Sequence, residues 1–385
     1  MRIAIDCRHV QYFNEGISRY TFNLLRLLKD DVEFHAILSD PRIIVPELES
    51  ISGVTRHYIG PTWKKLDWYW ENISLMRLLR NMRPDIYHAP CNTGLPIFRL
   101  QGIRYCVTFH DMLVKFYPEA YTLPARIKWH AGVRISARSA HQIIAVSEFT
   151  AELIRKYLRI PSASIRIVHH ALNPAFQNQG GSQNALTVLR SKIGLKPDYI
   201  IYHGGFRSYK DVRRLIDVFD CYRNKYKPPL QLCLVGEKNK NWTKFVEPRA
   251  QMSLFRSDII MPGRLTDCEL AVLLGGASSF IYPSEMEGFG FAPLEAMACG
   301  TPVICAHNSS MSELLDNAVV WMEPSESPDR LVEKLDEINT NHAFAQCLTD
   351  RGYLVSAKFT ESAFRNNMLE FYQDVYKTVT AECRK

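Results

Sequence analysis

Two glutamates with seven residues between them, Glu287 and Glu295, stand in the segment SEMEGFGFAPLEAMACGTPVI, residues 284–304. Apolar strand-like runs come before and after it, Pro293 suits a first helical turn, and Gly300 suits the position just after a helix. The pattern predicts a strand, a glycine loop, a short helix and a strand. Glu287 would lie in the loop at the strand's carboxyl end, and Glu295 in the helix's first turn.

That position is suited to ligand binding. Open α/β sheets bind ligands outside the carboxyl ends of their strands, and the free N–H groups of a helix start favour an anion. Two carboxylates beside an anion site suit a ligand with both hydroxyls and a phosphate. The alternative for Glu295 alone is that it only complements the helix dipole.

A second segment, YHGGFRSYKDVRRLIDVF at residues 202–219, places two cations between a strand and a helix. Arg207 and Lys210 follow Gly204 and Gly205, and cations at a helix start are unfavourable for the helix itself. A bound diphosphate would account for them. The alternative is a solvated basic turn.

Two further candidates lie in the first half of the chain. Gly16 follows the first predicted strand and opens an amphipathic helix, where glycine lets backbone N–H groups approach a phosphate. A simple turn explains it equally well. His110 ends the strand-like run YCVTFHDM and could hydrogen-bond a sugar hydroxyl or a reacting phosphate. A loop histidine satisfied by its neighbours is the alternative.

The elements that position these residues alternate between strand and helix from end to end, which predicts an α/β fold with parallel sheets. The polar stretch at 173–185 predicts a linker. We therefore expect two Rossmann-like domains, 1–175 and 186–357, with a ligand in the cleft between them. A C-terminal helix in 358–385 is expected to pack back on the N-terminal domain, because Phe364, Met368, Phe371 and Val375 recur at helical spacing.

Composition narrows the class of protein. The 385 residues are 46% hydrophobic and 23% charged, as in an ordinary globular protein, and contain no apolar run long enough to span a membrane. The N-terminus lacks the apolar region of a signal peptide, and the ten cysteines are scattered, so a cytoplasmic location is expected. The net charge of +7 suits anionic ligands or a membrane surface, and no nucleic-acid motif is present.

These segments together resemble glycosyltransferase family 4, whose hallmark is the glutamate pair inside EGFGFAPLEAMACGTPVI. GISRYTFNLL, TFHD, IIAVSEFT, IRIVHHALNPAF, HGGFRSYKDV and GRLTDCELAVLLGGASSFIYPSEMEGFG also follow in the family's order. The similarity covers nearly the whole chain and is greatest to the mannosyltransferase-type branch that builds bacterial surface polysaccharides, including lipopolysaccharide. It implies the GT-B fold, in which two Rossmann-like domains face each other across a cleft.

The resemblance also implies residue roles. Donor-binding roles fall on Gly16, Gly205, Gly263, Arg264, Leu265, Phe289, Gly290, Phe291 and Glu295. Catalytic roles fall on His110, Glu287, Arg207 and Lys210. Glu287 would hold the donor sugar, Glu295 the ribose, and Arg207 with Lys210 the leaving diphosphate. Many family members carry arginine where this chain has Gly205, so Arg207 is the candidate for that arginine's role.

The resulting expectation is a retaining, metal-independent hexosyltransferase without a cofactor. Its donor would be a nucleotide-diphosphate sugar, GDP-mannose first and a UDP-sugar second, and its acceptor a hydroxyl of a glycan or lipid-linked saccharide. Three alternatives remain: a nucleotide-sugar epimerase, a sugar phosphorylase on the same fold, and an inactive nucleotide-sugar-binding subunit.

A peripheral contact with an anionic membrane, at the inner face of the cytoplasmic membrane, is a further expectation. Arg126, His130, Arg134 and Arg138 recur every four residues and would form one basic helical stripe. Residues 63–83 add Trp63, Trp68 and Trp70 among Lys64, Lys65, Arg77, Arg80 and Arg83. Tryptophans with cations suit a headgroup layer. The alternative is that the aromatic residues are core and the cations a solvated face.

Overall fold

The computed structural model describes residues 1–12, 15–60, 70–177 and 183–382. The chain forms two compact units. The first unit comprises Met1–Ala171 together with the segment from Thr360 onward, and the second comprises Leu172–Phe359. Of the predicted linker at 173–185, residues 178–182 lie outside the described ranges.

The first unit is built on a seven-stranded sheet in which every pairing is parallel. Its strands are β1 (Arg2–Asp6), β2 (Glu33–Leu38), β3 (Val54–Tyr58), β4 (Ile86–Ala89), β5 (Arg104–Phe109), β6 (Gln142–Ala145) and β7 (Ile165–Ile167). The spatial order is β3-β2-β1-β4-β5-β6-β7, so the winding direction reverses between β1 and β4. Both faces of such a sheet are covered, and β1, β4 and β5 are accordingly almost wholly buried.

The helices of the first unit alternate with its strands. They are α1 (Glu15–Leu28), α2 (Pro46–Glu49), α3 (Leu75–Met82), α4 (Leu113–Phe116), α5 (Leu123–Ser139), α6 (Glu148–Leu158) and, after the second unit, α15 (Glu361–Glu382). Helix α15 contributes Phe364, Met368, Phe371 and Val375 to the same buried cluster as Ile3. The apolar spacing seen in the sequence therefore forms part of the first unit's core.

The second unit has a six-stranded parallel sheet in the order β10-β9-β8-β11-β12-β13. Its strands are β8 (Tyr199–His203), β9 (Gln231–Val235), β10 (Ile259–Gly263), β11 (Ser279–Tyr282), β12 (Val303–Ala306) and β13 (Val320–Met322). Its helices are α7 (Gln183–Ile193), α8 (Val212–Tyr226), α9 (Glu247–Met252), α10 (Asp267–Gly275), α11 (Phe291–Ala298), α12 (Ser309–Leu314), α13 (Pro328–Thr340) and α14 (His342–Ser356).

The two parallel sheets confirm the predicted fold class of two Rossmann-like domains. Cys7, Cys106, Cys233 and Cys305 are buried and free, as small core residues should be. Within the described ranges no helix has the length and apolarity needed to cross a membrane.

Candidate functional site

The strand order of the second unit explains where its polar residues meet. β8 and β11 are neighbours, with Ser279 opposite Ile200 and Phe280 opposite Ile201, although they are far apart in sequence. The sheet changes winding direction between them, and ligands bind at such switch points. The basic segment after β8 and the glycine loop after β11 therefore emerge side by side.

A buried ion pair joins these two segments. Lys210 Nζ lies 2.5 Å from Glu287 Oε1, and the two side chains are only 14% and 12% exposed. Lys210 Nζ also donates to Tyr282 Oη at 2.7 Å, and Tyr282 Oη donates to Glu287 Oε1 at 2.8 Å. Burial and the charge of Glu287 raise the pKa of Tyr282 well above its usual value, so this phenol remains a donor at neutral pH.

Glu287 is held by one of its two carboxylate oxygens. Oε1 accepts from Lys210, from Tyr282 and, at 2.6 Å, from Ser284 Oγ. None of the hydrogen bonds found among the described residues uses Oε2. The carboxylate is thus fixed in direction through Oε1, and Oε2 is the atom available to a ligand hydroxyl.

Two serines that the sequence analysis missed hold the main chain of Glu287. Its N–H donates to Ser309 Oγ at 3.0 Å, and its carbonyl oxygen accepts from Ser310 Oγ at 3.0 Å. Ser309 has a left-handed φ of +50°, a strained conformation for a residue other than glycine. Asn308 Nδ2 donates to the carbonyl of Ser284 at 3.1 Å, which ties the same two loops together. Only the position of these serines, just after strand β12, could have indicated them in the sequence.

Glu295 differs from the expected placement. Helix α11 begins at Phe291, so Glu295 is its fifth residue and lies beyond the first turn. It is 3% exposed, and its Oε2 lies 3.2 Å from Nε2 of His203, the last residue of β8. A role limited to the helix dipole does not explain a buried carboxylate in the second turn. Gly300 has a φ of +83°, as predicted for the residue after the helix.

The loop before α11 reaches the helix through Gly290, which has a φ of +88°. Gly290 is the N-cap residue, and as a glycine it has no side chain with which to cap this helix start. Phe289 is buried, and its ring packs against Phe291 and Phe359. Apolar packing thus anchors the glycine loop, and the first N–H groups of α11 lie directly after it.

Three candidate glycines lie where a side chain would meet nothing. A Cβ placed on Gly16, Gly205 or Gly263 finds no atom within 4 Å. Gly16 is exposed in the first turn of α1, and Gly263 ends β10 with a φ of +86°. Packing within the described residues therefore does not require glycine at 16 or 205. Close approach of a ligand to the backbone would require it.

The remaining candidates of the second unit flank the same strand ends. Arg207 precedes the short 3-10 turn Ser208–Lys210, and Asp211 follows it in the left-handed conformation. Arg264 is exposed and Leu265 half-buried directly after β10. The two expected cations thus differ in their surroundings. Lys210 forms an ion pair with Glu287, and Arg207 lies at the start of the turn.

His110 lies in the first unit at the end of β5 and is 9% exposed. The main-chain N–H of His110 donates to Asn92 Oδ1 at 2.8 Å, and its ring Nε2 lies 2.9 Å from the carbonyl oxygen of Pro90. The ring stacks on His170 with centroids 5.3 Å apart. Burial lowers the pKa of His110 to about 4, so the ring is neutral at pH 7 and Nε2 carries the proton that the carbonyl accepts.

The residues proposed for membrane contact divide into several groups. Trp70 is 3% exposed, and the guanidinium of Arg8 lies 3.3 Å from its ring centroid, so Trp70 belongs to the interior and its assignment to a headgroup layer is wrong. The basic stripe lies on α5, where Arg126 and His130 are half-buried and Arg134 and Arg138 exposed. Arg77, Arg80 and Arg83 are exposed, and Trp63, Lys64, Lys65 and Trp68 lie outside the described ranges.

Comparison with known families gives two adjoining matches. Residues 14–176 match the model described as Glycosyltransferase Family 4, and residues 189–354 match the model described as Glycosyl transferases group 1. Together they span both units and include every site residue discussed above.

Individual proteins are also similar to this chain over nearly its whole length. The chain is 26% identical over 378 residues to the O-antigen chain mannosyltransferase B of Escherichia coli, covering 94% of this chain and 96% of that protein. It resembles the structure of sucrose-phosphate synthase from Thermosynechococcus elongatus with a TM-score of 0.75 at 19% identity, over 98% and 100% of the two chains. It resembles Anabaena HepE in complex with UDP-glucose with a TM-score of 0.73 at 15% identity, over 99% and 100%.

Proposed function

The chain belongs to glycosyltransferase family 4, and we propose that it transfers mannose from a nucleotide-diphosphate sugar to a hydroxyl of a glycan or lipid-linked saccharide in surface polysaccharide biosynthesis. The choice of mannose is supported by the Escherichia coli mannosyltransferase, to which 94% of the chain aligns. GDP-mannose is the favoured donor, and a UDP-sugar is second because HepE binds UDP-glucose.

The observation that carries the proposal is the fixed carboxylate of Glu287. Three donors converge on Oε1, and two serines hold the residue's N–H and C=O. A sugar hydroxyl bound by Oε2 would therefore meet a group that needs no reorganisation. Preorganised polar groups of this kind are the main source of transition-state stabilisation in enzyme sites.

The donor's phosphates would bind at the strand ends next to Glu287. Departure of the nucleoside diphosphate builds negative charge on the phosphate and positive charge on the anomeric carbon. Lys210 and Arg207, with the start of α11, supply the positive potential that the leaving group needs. Glu295 would accept the ribose hydroxyls, and Gly16 would bring N–H groups of α1 to the phosphates.

We propose that transfer retains the anomeric configuration and needs neither metal nor cofactor. The leaving phosphate would take the proton of the acceptor hydroxyl as the new glycosidic bond forms on the same face of the sugar. His110 would act as a neutral hydrogen-bonding group at the reacting face, because its lowered pKa leaves it uncharged at pH 7. Chelator should leave the rate unchanged.

The experiment is a donor screen with GDP-mannose, UDP-glucose and UDP-galactose, which measures transfer and hydrolysis separately. We expect GDP-mannose to give turnover that rises with a saccharide acceptor and a product of retained configuration. Epimerised donor without an acceptor would support the epimerase, and a sugar phosphate formed from glycan and inorganic phosphate would support the phosphorylase. No turnover of any donor, with nucleotide still bound, would support the inactive subunit.

The place of action is proposed to be the cytoplasm, at the inner face of the cytoplasmic membrane. The nine cysteines of the described residues are all free, which suits a reducing compartment. The exposed Arg134 and Arg138 of α5 suit an anionic surface. Flotation with anionic vesicles at low salt tests this, because binding should fade as salt rises.

A further inference from the structure

A small crevice in the first unit, whose lining starts at Met112 shortly after strand β5, is lined by cations and aromatic rings. Helices α4, α5 and α6 form it, and its polar and aromatic lining consists of Lys115, Trp129, His130, Arg134 and Tyr157. Lys115 Nζ lies 4.4 Å from the ring centroid of Tyr157, and the rings of Trp129 and His130 meet edge to face at 5.1 Å. Lys115 is thus held against an aromatic ring, and His130 packs against another.

The charges in this crevice are of one sign. Burial lowers the pKa of His130, and the charges of Arg134, Lys115 and Arg126 lower it further. In the described part of the chain, no carboxylate forms an ion pair with Lys115, His130 or Arg134. Crowded like charges without a counter-charge are unfavourable for the folded protein, and a bound anion would relieve them.

One donor near the crevice also lacks an acceptor. The Nε of Arg126, one turn before His130 on α5, is buried and has no hydrogen-bond partner among the described residues. A buried donor without an acceptor costs about 1–3 kcal/mol, and natural structures rarely leave one unexplained. The guanidinium is suited to a phosphate oxygen.

The same face of α5 is apolar at its start. Leu123 and Ile127 lie four residues apart, in line with His130 and Arg134, and they are 61% and 62% exposed. Phe116, beside Lys115 on α4, is 37% exposed. An apolar strip that leads into a cationic crevice matches a molecule with a phosphate head and an apolar chain.

We propose that this crevice is a phosphate-binding site, in which Lys115, Arg126, His130 and Arg134 hold the phosphate while Leu123 and Ile127 contact the apolar chain that carries it. The proposal deepens the proposed contact with an anionic surface, on which its lipid source rests, and it does not depend on which sugar is moved. The shared chemistry is a phosphate ester, from a lipid in a bilayer or from a soluble molecule.

The first arm of the test uses inorganic phosphate. The pKa of the His130 imidazole is followed by NMR in phosphate and in chloride at equal ionic strength, with the signal assigned through His130→Gln. A phosphate bound beside the ring should raise this pKa, and Arg134→Gln or Lys115→Gln should weaken phosphate binding about fivefold, as expected for one cation near a phosphate. Arg159→Gln is the matched control, because it removes an equal charge from an exposed position of the first unit that belongs neither to the crevice lining nor to the basic stripe.

The second arm uses vesicles of phosphatidylglycerol with phosphatidylethanolamine, against vesicles of phosphatidylcholine. A lipid source predicts flotation with the anionic vesicles, weakened about fivefold by Arg134→Gln and by Leu123→Ser with Ile127→Ser. Phosphate binding without flotation identifies a soluble phosphate ester as the source. An unchanged pKa of His130 in phosphate, or equal weakening of phosphate binding by Arg159→Gln and Arg134→Gln, would overturn the site.

Discussion

Replacing Lys210 by methionine should destabilise the second unit, and replacing Glu287 by glutamine as well should restore part of the loss. The ion pair is only 14% and 12% exposed, so Lys210→Met leaves a carboxylate with little water around it. Removing one partner of a buried pair costs about 3–5 kcal/mol. Tyr282 and Ser284 still donate to Glu287 in this variant, so we expect the lower end, about 3 kcal/mol.

Glu287→Gln keeps an amide oxygen for the same donors and should cost less, about 1–2 kcal/mol. In the double variant both groups are neutral, so its cost should fall below the sum of the single costs by about 2 kcal/mol. The measurement is equilibrium urea unfolding of the full chain, followed by tryptophan fluorescence and circular dichroism. The free energies are meaningful only where the two probes give coincident transitions.

A matched pair in the same unit provides the control. Lys225 and Glu333 lie 3.6 Å apart but are 45% and 64% exposed, so Lys225→Met and Glu333→Gln should couple by less than about 1 kcal/mol. The reasoning fails if Lys210→Met and Glu287→Gln are additive within about 0.5 kcal/mol. Glu287→Gln should stay folded yet lose roughly 10- to 150-fold in kcat/KM, which equals the about 1.5–3 kcal/mol of a charge-assisted hydrogen bond to the donor sugar.

Three further predictions concern binding, acid stability and loop positioning. Glu295→Ala should weaken GDP binding and raise the donor KM with little change in kcat, and calorimetry showing unchanged GDP affinity would contradict the ribose contact. Burial lowers the pKa of both His9 and His110 to about 4, below the unfolded value of about 6.5. The unfolded chain therefore binds protons first, and each histidine should lower the free energy of unfolding by about 3 kcal/mol as the pH falls from 6.5 to 4. Urea unfolding at a series of pH values measures this, and His110→Gln should make the free energy of unfolding depend less on pH. Ser309→Ala should lower kcat/KM roughly 2- to 12-fold, because the main-chain N–H of Glu287 loses its acceptor. Ser312→Ala, at an exposed position, is the control and should leave kcat/KM unchanged. Equal kcat/KM in both variants would show that Glu287 does not need the hydrogen bond to Ser309.

The fold was predictable from the sequence because its signals are local. Strand-like runs bounded by glycine, proline or polar residues mark nearly every strand, and Gly300 marks the end of α11. Glu287 and Lys210 could each be found from the segment that surrounds it. Their pairing could not, because it joins residues 77 positions apart and depends on β8 lying next to β11.

What the sequence missed follows from the same limit. Ser309 and Ser310 act through hydrogen bonds to the main chain of Glu287, and any residue at 287 would offer that main chain, so no motif reveals them. The placement of Glu295 was wrong by one helical turn because the helix begins at Phe291. Trp70 was misassigned because an aromatic residue among cations also suits a stacked guanidinium in the interior.

The first unit is made of two stretches of chain separated by the whole of the second unit. During synthesis, the second unit can leave the ribosome and fold as one continuous segment. The sheet of the first unit must meanwhile wait for α15, whose Phe364, Met368 and Phe371 complete its core. Until they arrive, the surface that they will cover is open to chaperones and to other chains. The order of synthesis therefore gives this protein a vulnerable interval between the synthesis of β7 and that of α15, and that interval falls in the unit whose sheet was made first.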